Sequence, residues 1–457
     1  MTAAAGLRSI AEIAPLVRAG AMSPVTLVED CLREIGRRSD LNAFITVMRD
    51  EARAAAAEAA REIAAGRYRG PLHGIPISVK DLIAVAGTPT TSGSRVTPLR
   101  PAADAPIVAR LREAGAVVIG KTNLHEFAFG TTSDETAFGP VRHPLDPARS
   151  AGGSSAGAAV ALATGMCFGA IGTDTGGSIR IPSAVCGTVG LKPTLSELPC
   201  EGVVPLSTTL DHVGPMTRTV ADAAMLFSAM RGDQSCRLPA PAATALTFGI
   251  PRPYFCDVLN ADVRRALERV ASALGRAGHT VKPVTIEHAP WTADVYLHIV
   301  LPEASWYHAE TLAAEPDAYA PGVRLRLEMG RYVLAEDYVR ALRLRDALTA
   351  EVDAAVEACD ALLLPAQPAT APALGAASVD VGGERHPVRA MMLRLTQLFN
   401  ITGHPAIALP AGAGDDGFPV GLQLVGRRGG TEALLAVAAA VEPYMAEGPG
   451  SVGGGTG

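Results

Sequence analysis

The stretch CFGAIGTDTGGSIRIP (residues 167–182) begins as a short apolar run and continues into a loop with two adjacent glycines before a serine. An apolar run of this length that ends at glycine is typical of a buried strand. Gly176 and Gly177 allow close backbone approach, so several N–H groups can converge beside Ser178. The stretch therefore predicts a strand followed by a loop that suits an oxyanion hole and a nucleophile. A tight turn around a hydrogen-bonded serine is the simpler alternative.

Segments of the same kind surround this stretch. Apolar runs at 75–79 (IPISV) and 116–120 (AVVIG) predict two further buried strands, and helical patterns at 105–114 and 153–165 lie between successive strands. Further helices are predicted at 218–230, 261–278, 320–360 and 431–442. Further strands are predicted at 246–250, 280–285, 361–364 and 418–426. This alternation predicts an α/β fold, which we expect to be a single large domain with a central twisted mixed β-sheet covered on both faces by α-helices.

The composition narrows the classes of function. The chain has 457 residues, of which 48% are hydrophobic and 19% charged, and its formal net charge is −6. It has no block of like charges, which argues against nucleic acid binding, and no run of eighteen apolar residues, which argues against a membrane span. Seven scattered cysteines without a C-x-x-C pair predict neither disulfides nor a zinc site. We therefore expect a folded cytoplasmic protein with no nucleic acid and no membrane partner.

Lysine is scarce in this chain. Of the 40 basic residues only four are lysine, namely Lys80, Lys121, Lys192 and Lys282. A GC-rich genome would favour arginine, yet lysine differs from arginine in losing its proton readily when it is buried. Each lysine is therefore a candidate for a role that needs a neutral amine.

Two short motifs compete with the glycine loop as the centre of chemistry. Residues 115–122 (GAVVIGKT) match the phosphate-loop pattern G-x-x-x-x-G-K-[ST], but a helical pattern precedes them and their interior is itself the predicted strand. Residues 153–157 (GSSAG) match the nucleophile elbow G-x-S-x-G around Ser155, but a loop with two prolines stands where the elbow needs a strand. Neither nucleotide binding nor a Ser-His-Asp hydrolase is therefore the preferred interpretation.

The order and close spacing of several segments resemble the amidase signature family. These segments are IPISVKD (75–81), GKTNLHEFAFGT (120–131), AGGSSAG (151–157), GTDTGGSIRIP (172–182), CGTVGLKPT (186–194), LDHVGPM (210–216), FNITGHPAIALP (399–410) and PVGLQLVG (419–426). The resemblance is dense over 70–220 and sparse within an aromatic-rich excursion expected over 286–400. It implies an amidase domain over 1–447, and residues 448–457 are predicted to form a disordered tail.

The resemblance implies a catalytic triad of Ser178 as nucleophile, Ser154 as bridging serine after a cis peptide, and Lys80 as base. It also implies an oxyanion hole built from the backbone N–H groups of Thr175, Gly176, Gly177 and Ser178. The family's substrate-binding residues are not carried over, and no metal or cofactor is implied. Ala156 stands where many members have glycine, and we expect this departure to affect helix packing rather than the triad.

Burial would make Lys80 a workable base in this scheme. An exposed lysine with a pKa near 10.4 stays charged and cannot accept a proton at neutral pH. Lys80 follows an apolar strand, where desolvation lowers the pKa of an amine, so Lys80 could take a proton from Ser154 while Ser154 takes one from Ser178. Asp81 is the next residue and could instead pair with Lys80 and raise its pKa. The sequence leaves these two alternatives open.

The activity implied by the resemblance is that of a serine amidohydrolase, which cleaves carbon–nitrogen bonds other than peptide bonds through an acyl-enzyme. Small apolar or aryl amides are the candidate substrates, with esters or carbamates as further ones, and a homodimer is left open. The alternatives are the A subunit of a glutamine-dependent tRNA amidotransferase and a non-catalytic binding or scaffold protein. Both tryptophans and five of the eight tyrosines lie between 291 and 338, where they could line a pocket or serve ordinary helix packing.

Overall fold

The computed structural model describes residues 7–233 and 245–446 of the chain, so the tail predicted at 448–457 lies outside the described residues. Eleven strands form one large mixed sheet, and helices flank it. The predicted fold class, a single α/β domain with a central mixed sheet, is confirmed. The core consists largely of apolar side chains, as strands with fully buried residues require, and it also encloses a few charged ones such as Lys80 and Asp174.

The elements follow one another along most of the chain. The helices are α1 (Ile10–Arg18), α2 (Pro24–Arg37), α3 (Arg49–Ala64), α4 (Pro106–Glu113), α5 (Ala156–Ala163), α6 (Arg180–Cys186), α7 (Val220–Arg231), α8 (Ala261–Arg276), α9 (Thr292–Tyr307), α10 (Ala309–Ala314), α11 (Pro321–Gly330), α12 (Ala335–Glu357), α13 (Val388–Arg394), α14 (Leu398–Ile401) and α15 (Thr431–Ala446). The strands are β1 (Phe44–Val47), β2 (Pro76–Lys80), β3 (Val117–Thr122), β4 (Gly169–Asp174), β5 (Val189–Lys192), β6 (His212–Thr217), β7 (Thr247–Pro251), β8 (Thr280–Val284), β9 (Ala361–Pro365), β10 (Ser378–Val381), β11 (Glu384–Pro387), β12 (Ala406–Ala413) and β13 (Pro419–Val425).

The large sheet has the strand order β1-β3-β2-β4-β6-β5-β12-β13-β9-β7-β8. Strands β3, β2 and β4 run parallel to one another, as do β9, β7 and β8, and the remaining pairs are antiparallel. Parallel neighbours need long crossover connections, which helices such as α4 and α5 provide here. Strands β10 and β11 form a separate hairpin.

The three parallel strands β3, β2 and β4 place their carboxyl ends at one edge of the sheet. All their residues are buried, and Val79 of β2 lies between Lys121 of β3 and Ile171 of β4 in the register. Loops that follow neighbouring parallel strands meet at this edge, where ligand sites of open α/β sheets form. The edge therefore brings together the segments that follow Lys80 and Asp174.

The excursion departs from the prediction in two places. The helix predicted over 320–360 is two helices, α11 and α12, because the chain turns at residues 331–334. Gly330 ends α11 against α9, where an added Cβ would lie only 2.2 Å from the carbonyl oxygen of Leu301. The hairpin of β10 and β11 was not predicted, although its turn carries Gly382 and Gly383, both with positive φ. No described helix combines the length and the apolar character that crossing a membrane requires.

Candidate active site

Lys80 ends β2 inside the protein with two hydroxyl groups as its partners. Its side chain is fully buried, and Nζ lies 2.8 Å from Oγ of Ser154 and 2.8 Å from Oγ1 of Thr173. Burial lowers the pKa of Lys80 to about 7, although the negative charges of Asp174 and Asp211 oppose this fall. A large fraction of Lys80 is therefore a neutral amine at neutral pH, which a base requires.

Ser154 lies in a segment that packs against both Lys80 and the glycine loop. The peptide between Gly153 and Ser154 is cis. The next residue, Ser155, donates its backbone N–H to the carbonyl oxygen of Ser178 at 3.1 Å, and its hydroxyl donates to the carbonyl oxygen of Thr173 at 3.2 Å. The structure thus brings Lys80, Ser154 and the backbone of Ser178 together. Ser155 has the structural contacts expected of a buried donor.

The hydrogen bond from Ser178 to Ser154 that the predicted relay needs is not formed in this conformation. The hydrogen bonds of the described residues include none between the hydroxyl groups of Ser154 and Ser178. Apo active sites often hold such contacts loosely until substrate binds. The geometry therefore places Ser178 next to the Ser154 segment without closing the contact between the two hydroxyls.

The glycine loop presents a row of backbone donors. In the part of the chain that the structure describes, the following N–H groups donate to no protein acceptor: those of Thr175, Gly176, Gly177 and Ser178. Consecutive free N–H groups form an anion-binding concavity, and such groups in a buried loop need a reason. An oxyanion supplies that reason, because developing negative charge is what these donors would stabilise.

Glycine is required in this loop by close neighbours. Gly177 has φ +138°, and an added Cβ would lie 2.2 Å from Oγ1 of Thr396. A Cβ on Gly176 would lie 2.7 Å from the hydroxyl oxygen of Tyr296 and 3.1 Å from Cδ2 of Leu393. Thr396 donates its hydroxyl to the carbonyl oxygen of Gly176 at 2.6 Å, so that carbonyl is already engaged. These three neighbours come from the excursion and were not predicted from the sequence.

A buried ion pair between Asp174 and Arg180 holds the glycine loop in place. Asp174 accepts hydrogen bonds from the Nε and Nη2 of Arg180 at 3.1 and 2.9 Å and from the N–H of Ile179 at 3.1 Å. Asn400 donates to both the carboxylate and the carbonyl oxygen of Asp174 at 2.8 Å. Burial alone would raise the pKa of Asp174, but the Arg180 guanidinium holds that pKa well below its usual range. Asp174 therefore stays charged and keeps Arg180 engaged with the loop.

Asp211 holds the loop from a second direction. Its carboxylate accepts the hydroxyl of Thr175 at 2.6 Å and the N–H groups of Leu206 and Ser207 at 2.9 and 3.1 Å. Burial raises the pKa of Asp211 to about 6, and these hydrogen bonds limit the rise. Asp211 is therefore a negative charge near Lys80 at neutral pH; it lies in the segment LDHVGPM that carries the resemblance, but no role for it was predicted from the sequence.

The two alternatives for Asp81 are decided by its orientation. Asp81 forms a fully buried ion pair with Lys121, whose Nζ lies 2.9 Å from Oδ1, and does not contact Lys80. Its other oxygen accepts the N–H of Thr91 at 3.0 Å. Asp81 thus neutralises Lys121 and leaves Lys80 without an ion pair among the described residues. Lys121 lies in β3, as expected from the inverted order of the phosphate-loop match.

The aromatic residues of the excursion are divided between the site and the surface. Tyr296 is 2% exposed and borders Gly176, whereas Trp306 and Tyr332 are 74% and 83% exposed. The cluster at 291–338 is therefore not buried as a whole, and Tyr296 is the member that borders the glycine loop in the described contacts. No group of three or more histidine, cysteine, aspartate or glutamate residues within 7–233 and 245–446 is arranged to hold a metal ion.

Comparison with known proteins identifies the family of the chain. A family model with the description Amidase matches residues 26–435. A Pseudomonas putida protein named Amidase is 37% identical over 432 residues, covering 90% of this chain and 90% of that protein. A Desulfotalea psychrophila protein, named as the A subunit of a glutamyl-tRNA(Gln) amidotransferase, is 36% identical over 484 residues, covering 97% of this chain and 98% of that protein.

A solved structure shares the fold as well as the sequence. The crystal structure of an amidase matches with a TM-score of 0.91 and 38% identity over 95% of this chain and 99% of that one. The range matched by the family model includes Lys80, Ser154 and Ser178. The chain therefore belongs to the amidase signature family and is an enzyme that hydrolyses carbon–nitrogen bonds of amides other than peptide bonds.

Proposed function

We propose that Ser178 attacks the amide carbonyl and that Ser154 and Lys80 relay its proton. The observation that carries this assignment is the buried contact between Lys80 and Ser154, in a pocket where no carboxylate pairs with the amine. A neutral amine can donate to Thr173 and accept from Ser154 at the same time. Lys80 then holds the proton that leaves Ser178, and returns it through Ser154 to the departing amine.

The tetrahedral intermediate places its negative charge against the glycine loop. The free N–H groups at 175–178 would donate to the oxyanion, and removal of one such donor typically costs about 10²–10³ in rate. Collapse of the intermediate leaves an acyl group on Ser178 and releases the amine. Water then attacks the acyl-enzyme by the same relay and releases the acid.

We propose a small amide as the substrate, with an ester or a carbamate as a further substrate, because all three pass through the same intermediate. We also propose a cytoplasmic location, because all six described cysteines are free thiols, as is usual in that reducing compartment. The second candidate is glutamine hydrolysis as the A subunit of an amidotransferase, favoured by the 36% identity to a protein of that name. Substrates separate the two, because such an amidotransferase turns over glutamine and an amidase of this kind prefers other amides.

Covalent labelling tests the nucleophile directly. A serine-directed fluorophosphonate should label the wild-type protein on Ser178, as mapped by peptide mass spectrometry, and should fail to label Ser178→Ala. Ser155→Ala is the matched control, because Ser155 is also buried and adjacent to the site but its hydroxyl forms hydrogen bonds only with backbone atoms of Thr173 among the described residues. Labelling on Ser155, or labelling that survives in Ser178→Ala, would overturn the assignment.

A further inference from the structure

A positive side chain without an acidic partner lies on α13, the helix whose Leu393 borders the glycine loop. Arg389 is half-buried on α13, and in the described part of the chain it forms no ion pair. Its contacts are a hydrogen bond from Nη1 to the carbonyl oxygen of Phe129 at 3.2 Å and a stacking contact with the Phe129 ring at 5.6 Å. A partly desolvated guanidinium with N–H groups to spare is typical of a site that receives an anion.

The position of Arg389 connects it to both catalytic serines. Arg389 and Leu393 are four residues apart, so they share a face of α13, and Leu393 is the residue that borders Gly176. Phe129 precedes the segment 131–133, which packs on Gly153: an added Cβ there would lie 3.0 Å from the carbonyl carbon of Thr131. Arg389 is therefore connected to the Ser178 loop through Leu393 and to the Ser154 segment through the residues that follow Phe129.

A second polar group on the same side has no protein partner. Tyr296 borders Gly176 with its hydroxyl oxygen, and in the described part of the chain that hydroxyl makes no hydrogen bond. Burial raises the pKa of the Tyr296 phenol and the positive charge of Arg389 opposes the rise, so the two groups are within electrostatic range of each other. Together they offer a guanidinium and a hydroxyl to one ligand.

The charged residues near Arg389 already have ion-pair partners. Arg326 also stacks on Phe129, at 5.3 Å, but it is paired with Glu135 at 3.0 Å. Glu135 further accepts the N–H of Gly322 and contacts His125. Burial and the nearby Arg326 lower the pKa of Arg389 to about 10, which still leaves it charged at neutral pH. Arg326 is therefore paired with Glu135, whereas Arg389 has no ion-pair partner among the described residues.

We propose that Arg389, with Tyr296, binds a carboxylate on the substrate, so that the enzyme selects amides that carry a negative charge. This inference rests on the proposed function, because it names the substrate class of the same site. A guanidinium binds a carboxylate through two parallel hydrogen bonds, which gives orientation as well as affinity. Arg389 would thereby align the amide carbonyl with Ser178 and the glycine loop.

Matched substrates test the preference. Each pair compares a charged amide with a neutral one of similar size. Glutaramate carries a carboxylate on its acyl part and is compared with pentanamide. N-butyrylglycine carries the carboxylate on its amine part and is compared with N-ethylbutyramide. Wild type should favour the charged member of one pair by about tenfold or more in kcat/KM. Arg389→Met should lose this preference mainly through KM, while Arg389→Lys should keep part of it because the charge remains. Arg385→Met, on the exposed hairpin, is the control and should behave as wild type.

Binding without turnover separates this inference from the proposed function. Ser178→Ala should bind glutaramate more tightly than pentanamide in calorimetry, and the added substitution Arg389→Met should remove the difference. If that binding preference holds while wild type hydrolyses none of the four amides, the proposed function is wrong and the carboxylate site stands. If the wild-type protein hydrolysed and bound the charged and the neutral amide of each pair equally well, the proposed carboxylate site would be wrong.

Discussion

Two buried lysines lie on neighbouring strands and have opposite surroundings. Lys80 on β2 contacts two hydroxyl groups, whereas Lys121 on β3 forms an ion pair with Asp81 at 2.9 Å. Both side chains are completely buried, so desolvation acts against the charge of each. The difference is the counter-ion, which opposes the fall in the pKa of Lys121 and is missing at Lys80. Burial alone therefore does not separate the two lysines; the contact of Lys80 with Ser154, without a carboxylate partner, supports Lys80 rather than Lys121 as the proposed base.

The largest effect should come from removing the amine of Lys80. Lys80→Met keeps the length of the side chain but cannot accept a proton, so kcat/KM for an amide should fall by about 10²–10⁴, the usual contribution of a general base. The protein should stay folded, because Met removes a charge that burial disfavours. Steady-state kinetics at pH 7 and at pH 9 check this. Near-normal amide turnover in Lys80→Met would show that Lys80 is not the base.

The same change at Lys121 should affect stability instead of chemistry. Lys121→Met leaves Asp81 buried without its partner, which typically costs about 3–5 kcal/mol in the free energy of unfolding. Urea denaturation followed by circular dichroism measures the loss. The double variant Asp81→Asn/Lys121→Met should regain much of that stability, and its kcat/KM should keep the wild-type dependence on pH. A double variant with the pH profile of Lys80→Met would place Lys121 in the relay.

The smallest effect should be a shift in the pH dependence when Asp211 loses its charge. The acid limb of kcat/KM follows the loss of a proton from Lys80, whose pKa is about 7 and is raised by Asp211. Asp211→Asn removes that negative charge, so the pKa of Lys80 should fall and activity should persist to lower pH, by a fraction of a pH unit. Asn keeps one acceptor oxygen, so either the Thr175 hydroxyl or the N–H groups of Leu206 and Ser207 lose their acceptor. Glu201→Gln, on the surface, is the control, and an acid limb that moves to higher pH would contradict the account.

The sequence predicted one half of the site better than the other. Lys80, Ser154 and Ser178 lie within motifs of the first 220 residues, so the resemblance could name them one by one. Thr396 and Tyr296 reach the glycine loop from positions more than a hundred residues away, and their contacts depend on how α9 and the turn after α13 pack. No short-range pattern marks such contacts. Asn400 lies inside one of the family motifs, but its bond to Asp174 required the fold.

The orientation of side chains was the other feature that the sequence could not predict. Asp81 is adjacent to Lys80 in the chain, and its pairing with Lys121 follows from the pairing of β2 with β3, which sets Val79 opposite Lys121. The aromatic cluster likewise was visible in the sequence, but the exposure of Trp306 and Tyr332 was not. Adjacent residues on a strand point to opposite faces, so sequence neighbours need not share a pocket.

Direct titration of the lysine side chains tests the central claim, that Lys80 is a neutral amine at neutral pH. The chain has only four lysines, so lysine labelled with carbon-13 at Cε gives few signals, which Lys80→Arg, Lys121→Arg and Lys192→Arg assign. The account predicts that the Lys80 signal titrates near pH 7, whereas the Lys121 signal titrates at higher pH. A Lys80 signal that titrates near pH 10, as an ordinary lysine does, would contradict it.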